Sequence, residues 1–233
     1  RIADASQSNG FESDNNAEGS TAEPFTSATF SNMTFLGPKV FDADFQNTTD
    51  YLDGGKMNPG NGSSTGRFQA GMHLRRNTRL NCYNSVVAGW PIGLILDSEK
   101  GNTQKAATDQ LHRIVFAGTD ITGSDFNKVY KDELYNYQSK TTDPSKKSFS
   151  STFFLLPANG NKVVDQWVAR SWQGIQSIIA ASTSVGGALQ GSFAELQSNN
   201  WFDKSATFVG AFRDASDDWT AGWANFDPEN TIY

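Results

Sequence analysis

The sequence predicts an all-β fold, a right-handed parallel β-helix, and three observations support this prediction. Two short segment patterns recur along the chain and alternate in order. Two of the segments are spaced by about one β-helical turn. The composition is also typical of a β-rich fold with many turns, with 21 glycines in 233 residues, 12% aromatic and 19% charged.

The two patterns define candidate strands and their register. The first is a glycine followed by a short strand-like run, as in GFESDN from Gly10, GMHLRR from Gly71 and GLILDS from Gly93. The second is an alternating strand that ends in glycine, as in SNMTFLG to Gly37, YNSVVAG to Gly89 and HRIVFAG to Gly118. Aligning the first pattern predicts that Phe11, Met72 and Leu94 are equivalent. Ordinary strands of a β-sandwich remain the alternative.

The spacing of the glycines predicts where the coils lie. Gly71 and Gly93 are 22 residues apart, about one turn of a β-helix. Gly10 and Gly71 are 61 residues apart, and the excess falls in the glycine- and serine-rich residues 38–66. We therefore expect coils over residues 1–126, with a loop insertion at 38–66.

The rest of the chain departs from the repeats. We expect residues 127–200 to form an irregular and helical cap region. Apolar residues from 164 to 179 follow helical spacing, which predicts one amphipathic helix that covers an end or a flank of the solenoid. Residues 201–233 carry eight large aromatic side chains. We favour a C-terminal wrap that buries these rings, and the alternative is a carbohydrate platform that includes Trp219 and Trp223.

One group of charged residues falls at equivalent positions of the first pattern. The alignment stacks Asp14, Arg75 and Asp97, and places Glu12 beside His73. Equivalent positions on adjacent strands lie about 4.8 Å apart, so these side chains form an acid–base–acid ladder. The ladder is either a binding or active-site face or a surface salt-bridge ladder, and we favour the second.

A calcium site is the one cofactor site that the sequence suggests. Four carboxylates cluster with Asn47 in the inserted loop: Asp42, Asp44, Asp50 and Asp53. Near the C-terminus a second group follows: Asp214, Asp217 and Asp218. Ca²⁺ takes six to eight oxygen ligands, which flexible acidic loops can supply. The spacing differs from an EF-hand, and we favour solvated loops.

Several classes of function are disfavoured. The net charge of −6 argues against nucleic-acid binding, although Arg75, Arg76 and Arg79 form a local basic cluster. No apolar run is long enough to span a membrane. The single cysteine, Cys82, forms no intrachain disulfide. No catalytic triad motif or dinucleotide fingerprint occurs, and we interpret both histidines, His73 and His112, as outward-facing strand residues.

Four segments carry a resemblance to a known family: NGFESDN, FSNMTFLGP, HLRRNTRLNCYNSVVAGWPIGLILD and the C-terminal FVGAF…DDWTAGWANFDPENTIY. Over about residues 8–126 and 201–233 the chain resembles secreted bacterial parallel β-helix proteins. The resemblance implies an extracytoplasmic protein of a Gram-negative bacterium, secreted or held at the cell surface, commonly as an outer-membrane lipoprotein. It also implies further coils upstream of Arg1, and it carries over no catalytic residue.

Two functions of different class stay open. The first is a non-enzymatic surface protein, a rigid β-helix scaffold that binds a glycan or a protein partner. The second is a polysaccharide-active enzyme, either a lyase or a glycoside hydrolase. We favour the first because the sequence contains no clustered catalytic set. A groove with two carboxylates at glycosidase separation, or an ion beside a Lys or Arg, would favour the second.

Overall fold

The structure is a computed structural model that describes residues 9–41, 68–103, 111–125, 134–136, 138–165, 167 and 170–231. Most of the predicted loop at 38–66 lies outside these residues. The strands are, in chain order, β1 (Phe11–Ser13), β2 (Thr29–Ser31), β3 (Thr34–Leu36), β4 (Ala70–Arg75), β5 (Asn81–Ala88), β6 (Ile92–Asp97), β7 (Leu111–Ala117), β8 (Ile121–Ser124), β9 (Leu134–Asn136), β10 (Thr141–Asp143) and β11 (Lys162–Val164). The helices are α1 (Phe149–Phe154) and α2 (Ile175–Gly186), with short 3-10 turns at Pro38–Val40, Pro157–Asn159, Ala194–Leu196 and Pro228–Asn230.

Two parallel sheets organise the chain. The first has the order β1-β4-β6-β8, and the second has the order β11-β7-β5-β2, with β3 also paired to β5. The chain passes from one sheet to the other and back, so each circuit adds a strand to both sheets; we call one circuit a coil. Stacked parallel coils of this kind form a parallel β-helix, and β9 and β10 add a small antiparallel pair.

The register agrees with the alignment made from the sequence. Phe11 pairs with Met72 and Met72 pairs with Leu94, so the predicted equivalence is confirmed. In the second sheet Leu36 pairs with Ala88, which pairs with Ala117. The β-sandwich alternative is wrong, because a sandwich of this type would pair its strands antiparallel.

The core lies between the two sheets. Met72 and Leu94 of the first sheet pack in one buried cluster with Val87 and Phe116 of the second. A Cβ atom on Gly93 would lie 2.2 Å from the ring of Phe116, so only glycine fits at this point of β6. The recurring glycine therefore allows the backbone of one sheet to touch side chains of the other.

A left-handed backbone position recurs in the second sheet. Asn32, Asn84 and Arg113 have φ angles of 54°, 47° and 55°. The residues directly before them, Ser31, Tyr83 and His112, are paired with one another across adjacent strands: Ser31 pairs with Tyr83, and Tyr83 pairs with His112. Asparagine tolerates this conformation better than most residues, so it suits a repeated bend. We call Asn32, Asn84 and Arg113 the αL corner.

Helix α1 packs against the later coils. The side chain of Asp125 accepts hydrogen bonds from the backbone N–H groups of Phe149 and Ser150, at 2.8 and 2.9 Å. This carboxylate satisfies donors that a helix N-terminus leaves free. At the other end of α1, the ring of Phe154 stacks on Phe116 with centroids 3.8 Å apart. The helix is thus fixed to the core of the β-helix.

The predicted amphipathic helix is only partly confirmed. Helix α2 begins at Ile175, whereas residues 162–164 form β11, in which Val163 and Val164 pair with β7. The helical spacing was therefore wrong at Val164, which with Val163 extends the second sheet, and Val168 lies outside the described residues. Gly174, with a φ of 66°, separates the two elements. Within the described residues no helix is long and apolar enough to cross a membrane.

Residues 190–212, which we call the C-terminal arm, dock on the αL corner. Asn32 Nδ2 donates to the carbonyl oxygen of Phe208 at 2.7 Å. Asn84 Oδ1 accepts from the backbone N–H of Ser192 at 2.9 Å, and the Asn84 carbonyl accepts from the N–H of Gly210 at 2.9 Å. These bonds hold the C-terminal arm against the outside of the second sheet.

Candidate functional site

The predicted charged ladder forms at the ends of β1 and β4. Arg75 Nε donates to Asp14 Oδ1 at 2.7 Å, and Arg75 Nη1 lies 3.3 Å from Glu12 Oε1. Arg75 is in register with Asp97 of the next coil. Arg76 is a member that we missed, and its Nη1 lies 2.9 Å from Asp14 Oδ2. The run of arginines in the sequence was the available signal.

The ladder contains the salt bridges that we favoured from the sequence, and its inner members are more deeply buried than a surface ladder would be. The side chain of Arg75 is 20% exposed and that of Asp97 only 4% exposed. Burial, the largest single influence, lowers the pKa of Arg75, but the hydrogen bond to Asp14 and the charges of Asp14, Glu12 and Asp97 together raise the pKa above its ordinary value. Arg75 is therefore a permanent, fixed cation within a partly buried network.

His73 and Asp97 form a buried pair behind this network. His73 Nε2 lies 3.2 Å from Asp97 Oδ2, and their side chains are 1% and 4% exposed. Asp97 Oδ1 accepts from the backbone N–H of Glu99 at 2.8 Å. His73 Nδ1 has no hydrogen-bond partner. A proton on Nε2 suits this geometry best, because Nδ1 is then an unmatched acceptor rather than an unmatched donor.

The second histidine belongs to another cluster. His112 is also buried, and it stacks on Tyr83 with centroids 5.6 Å apart and an interplanar angle of 6°. Its Nδ1 lies 3.6 Å from Glu195 Oε1 of the C-terminal arm, and Glu195 also pairs with Arg113. This arrangement fastens the C-terminal arm to β7 and does not bring His112 to the charged ladder.

A small, solvent-open cleft adjoins the ladder, with a cavity volume of about 90 Å³. We call it the Arg75 cleft, and it is lined by Arg75, Arg76, Asp97, Glu99 and Lys100. The ends of β4 and β6 supply these residues, because their equivalent turns stack in adjacent coils. Guanidinium and ammonium groups supply donors there, and the Glu99 carboxylate supplies acceptors. The cleft can therefore hold a ligand that carries both hydroxyl and acidic groups.

The two candidate calcium clusters lie in different parts of the chain. Asp42, Asp44, Asp50 and Asp53 lie outside the described residues. Within the residues that the structure does describe, no three or more His, Cys, Asp or Glu side chains are placed to hold a metal ion. Asp214, Asp217 and Asp218 are among the residues to which this finding applies. Each of the three carboxylates instead accepts a hydrogen bond within its own turn.

Trp219 and Trp223 lie on the surface, contrary to the wrap that we favoured. They are 53% and 69% exposed, and Trp201 is 90% exposed. Burial is confirmed for Phe212, which is 4% exposed and whose ring centroid lies 6.0 Å from that of Trp219. The two indole N–H groups bond to the backbone carbonyls of Ala211 and Trp219, so these rings are held in place without being buried.

Comparison with known proteins identifies the family but not a function. Residues 2–173 match one family model, described as a pectate-lyase-like β-helix domain. Neither the search of curated proteins nor the search of solved structures found a match. The matched residues contain every strand described above and the Arg75 cleft, whereas α2, the C-terminal arm and the exposed pair Trp219 and Trp223 follow them. The chain belongs to the family of pectate-lyase-like β-helix domains.

Proposed function

We propose that this chain is an extracytoplasmic β-helix scaffold that binds a polysaccharide in the Arg75 cleft without changing it chemically. The observation that carries the proposal is the cleft itself, in which three cations and two carboxylates from adjacent coils face one opening. A saccharide offers hydroxyl donors and acceptors along its length. A row of charged, fixed side chains on a rigid sheet suits such a ligand.

The cations favour a glycan that carries acidic groups. Arg76 uses Nη1 toward Asp14 in the described structure, and a guanidinium has five N–H donors. Lys100 Nζ donates to the Ala17 carbonyl at 3.3 Å and lies 3.8 Å from Glu18. Both groups keep donors for a ligand carboxylate, and paired Arg–carboxylate bonds are strong and directional. The family description points the same way, since pectate is an anionic polysaccharide.

The inner part of the network supports binding rather than catalysis. Both carboxylate oxygens of Asp97 already accept hydrogen bonds, from His73 and from the N–H of Glu99. His73 is too deeply buried to touch a ligand directly. The bond between Arg75 and Asp14 holds both side chains in fixed positions. A network whose members bond to one another acts as a stiff wall for a binding site.

The remaining parts of the proposal concern context. We place the protein outside the cytoplasm of a Gram-negative bacterium, secreted or at the cell surface, as the resemblance implies. The β-helix is proposed to be right-handed, because parallel crossover connections have that hand in about 98% of cases. The same proposal divides the chain into a coil region, 1–126, and a cap region, 127–200. It also includes further coils upstream and an outer-membrane lipid anchor.

Binding to immobilised polygalacturonate tests the proposal. We expect salt-dependent retention of the intact chain, and a Kd about tenfold higher for Arg76→Ala and for Lys100→Ala, a loss of about 1.4 kcal/mol. Lys146→Ala is the matched control, since Lys146 is exposed and pairs only locally with Asp143. Failure of the intact chain to bind polygalacturonate and a second uronate polymer such as alginate would refute the proposal, as would an equal loss in the control.

A second candidate, a polysaccharide-active enzyme, is favoured by one observation. A buried His–Asp pair, His73 and Asp97, lies where Asp97 also lines the cleft. Carboxylates oriented by histidine occur in acid–base sites. The same polymers distinguish the candidates: new reducing ends or unsaturated uronates that depend on Asp97, and disappear in Asp97→Asn, would establish the enzyme. The scaffold proposal expects neither product from the intact chain.

A further inference from the structure

The exposed indoles of Trp219 and Trp223 form a defined surface. Their ring centroids lie 5.5 Å apart with an interplanar angle of 34°. Trp219 Nε1 donates to the Ala211 carbonyl at 2.8 Å, and Trp223 Nε1 donates to the Trp219 carbonyl at 3.0 Å. The polar group of each ring is therefore satisfied internally, and the exposed part of each indole is apolar ring.

This surface is anchored to the β-helix rather than carried on a free tail. Trp219 neighbours the buried ring of Phe212. The backbone N–H of Ala211 donates to Thr34 Oγ1 at 2.8 Å, and that hydroxyl lies 2.7 Å from Ser182 Oγ of α2. The turn that carries both tryptophans is thus connected to the first coil and to α2. Ordering the rings costs little at the moment of binding, because they are already held in place.

The surroundings of the pair select the kind of ligand. The preceding turns contribute the carboxylates Asp214, Asp217 and Asp218 against one nearby cation, Arg213, a formal charge of −3 + 1 = −2. These carboxylates offer acceptors to the hydroxyl groups of a sugar. A neutral pyranose ring has an apolar C–H face and hydroxyl groups at its edge. The apolar face matches an indole, and the edge matches the carboxylates.

The size of the surface also fits a sugar better than a protein. An aromatic side chain presents roughly 150–250 Å², so the two rings expose roughly 250 Å² together. A stable protein interface needs about 800 Å² from each partner. Two adjacent rings match one or two sugar units instead.

We propose that Trp219 and Trp223 are a second saccharide site, which binds neutral polysaccharide chains and shares no residue with the Arg75 cleft. The site lies beyond the residues that match the family model. It adds a second contact to a scaffold whose cleft takes acidic sugars. A cell-wall matrix that contains both neutral and acidic polymers would engage both sites at once, with a gain in avidity.

Native affinity electrophoresis tests this proposal with four neutral polymers: hydroxyethylcellulose, xyloglucan, galactomannan and laminarin. We expect at least one of them to retard the intact chain. Trp219→Ala and Trp223→Ala should each raise the Kd for that polymer about tenfold or more. Trp201→Ala should leave it unchanged, because Trp201 is even more exposed yet lies outside the pair. Thermal melting of each variant shows that it is folded. Trp223→Ala is expected to disturb the fold less than Trp219→Ala, because it removes the more exposed ring.

The outcomes separate this proposal from the one made for the Arg75 cleft. Arg76→Ala should keep neutral-polymer binding, and Trp223→Ala should keep binding to polygalacturonate. No retardation by any of the four neutral polymers would overturn the second site and leave the cleft standing. If Trp201→Ala weakened binding to the neutral polymer as much as the paired variants do, the second site would also be overturned. The same holds if sedimentation velocity shows a dimer that Trp223→Ala abolishes, because the rings would then form a protein interface.

Discussion

Phe116 is the residue whose removal should most clearly test the packing described above. Its side chain is fully buried, it contacts the backbone of the adjacent sheet at Gly93, and its ring stacks on Phe154 of α1. Truncation of a buried Phe to Ala costs about 3–5 kcal/mol. The stacked pair contributes about 0.5–1.5 kcal/mol beyond buried area. We therefore expect Phe116→Ala to lower the free energy of unfolding by about 4 kcal/mol.

Urea unfolding followed by circular dichroism measures this loss, and calorimetry should show a Tm lower by about 8–16 °C for a chain of this size. The matched control is Leu155→Ala, which removes a 53% exposed side chain next to Phe154 and should cost less than about 1 kcal/mol. A double-mutant cycle with Phe154→Ala should give a coupling of about 1 kcal/mol. If Phe116→Ala costs no more than Leu155→Ala, or if the two Phe variants are strictly additive, the assigned packing is wrong.

Three further predictions concern single side chains. Asn84→Ala should cost about 2–3 kcal/mol in urea unfolding, because alanine resists a φ of 47° and the bond to Ser192 is lost; Asn84→Gly should cost less, and equal costs would contradict the backbone argument. Burial raises the pKa of the Cys82 thiol to about 12, so iodoacetamide should label the chain only after denaturation, and rapid native labelling would contradict the burial. The Arg113 guanidinium beside Glu195 lowers the pKa of that carboxyl, against the opposing effect of burial. The ionised Glu195 carboxylate therefore stabilises the fold fully above the unfolded pKa of about 4.3, and this contribution is lost as the pH falls through the lower folded pKa. Glu195→Gln should accordingly lower the Tm at neutral pH and not in strong acid.

The register of the coils could be predicted from the sequence because glycine marks equivalent places. Gly71 in β4 and Gly93 in β6 each come directly before an inward residue, Met72 or Leu94, and these two residues occupy the same level of the core. A side chain at these glycines would strike the opposite sheet, so the constraint appears directly in the residue type. The stacking of Arg75 on Asp97 follows from the same register.

The burial of the outer polar residues could not be predicted in this way. His73 lies on the outside of its strand, where alternation alone predicts contact with water, and yet it is 1% exposed. The helical spacing that begins at Val164 was misleading at that residue, because a short apolar run of β-branched residues fits the period of a strand as well as that of a helix. Nor does an aromatic-rich segment show which rings will be buried: Phe212 is buried and Trp223 is not.

The docking of the C-terminal arm on the αL corner has a consequence for how the protein unfolds. Solenoids commonly lose their repeats one at a time, since each repeat contacts only its neighbours. Here one segment bonds to Asn32, Asn84 and Arg113, which belong to three successive coils. It runs across the strands and spans about 10 Å, two strand spacings. Peeling away the first coil would have to break these bonds as well, so the arm links the coils into one cooperative unit and resists unravelling under force from the N-terminal side.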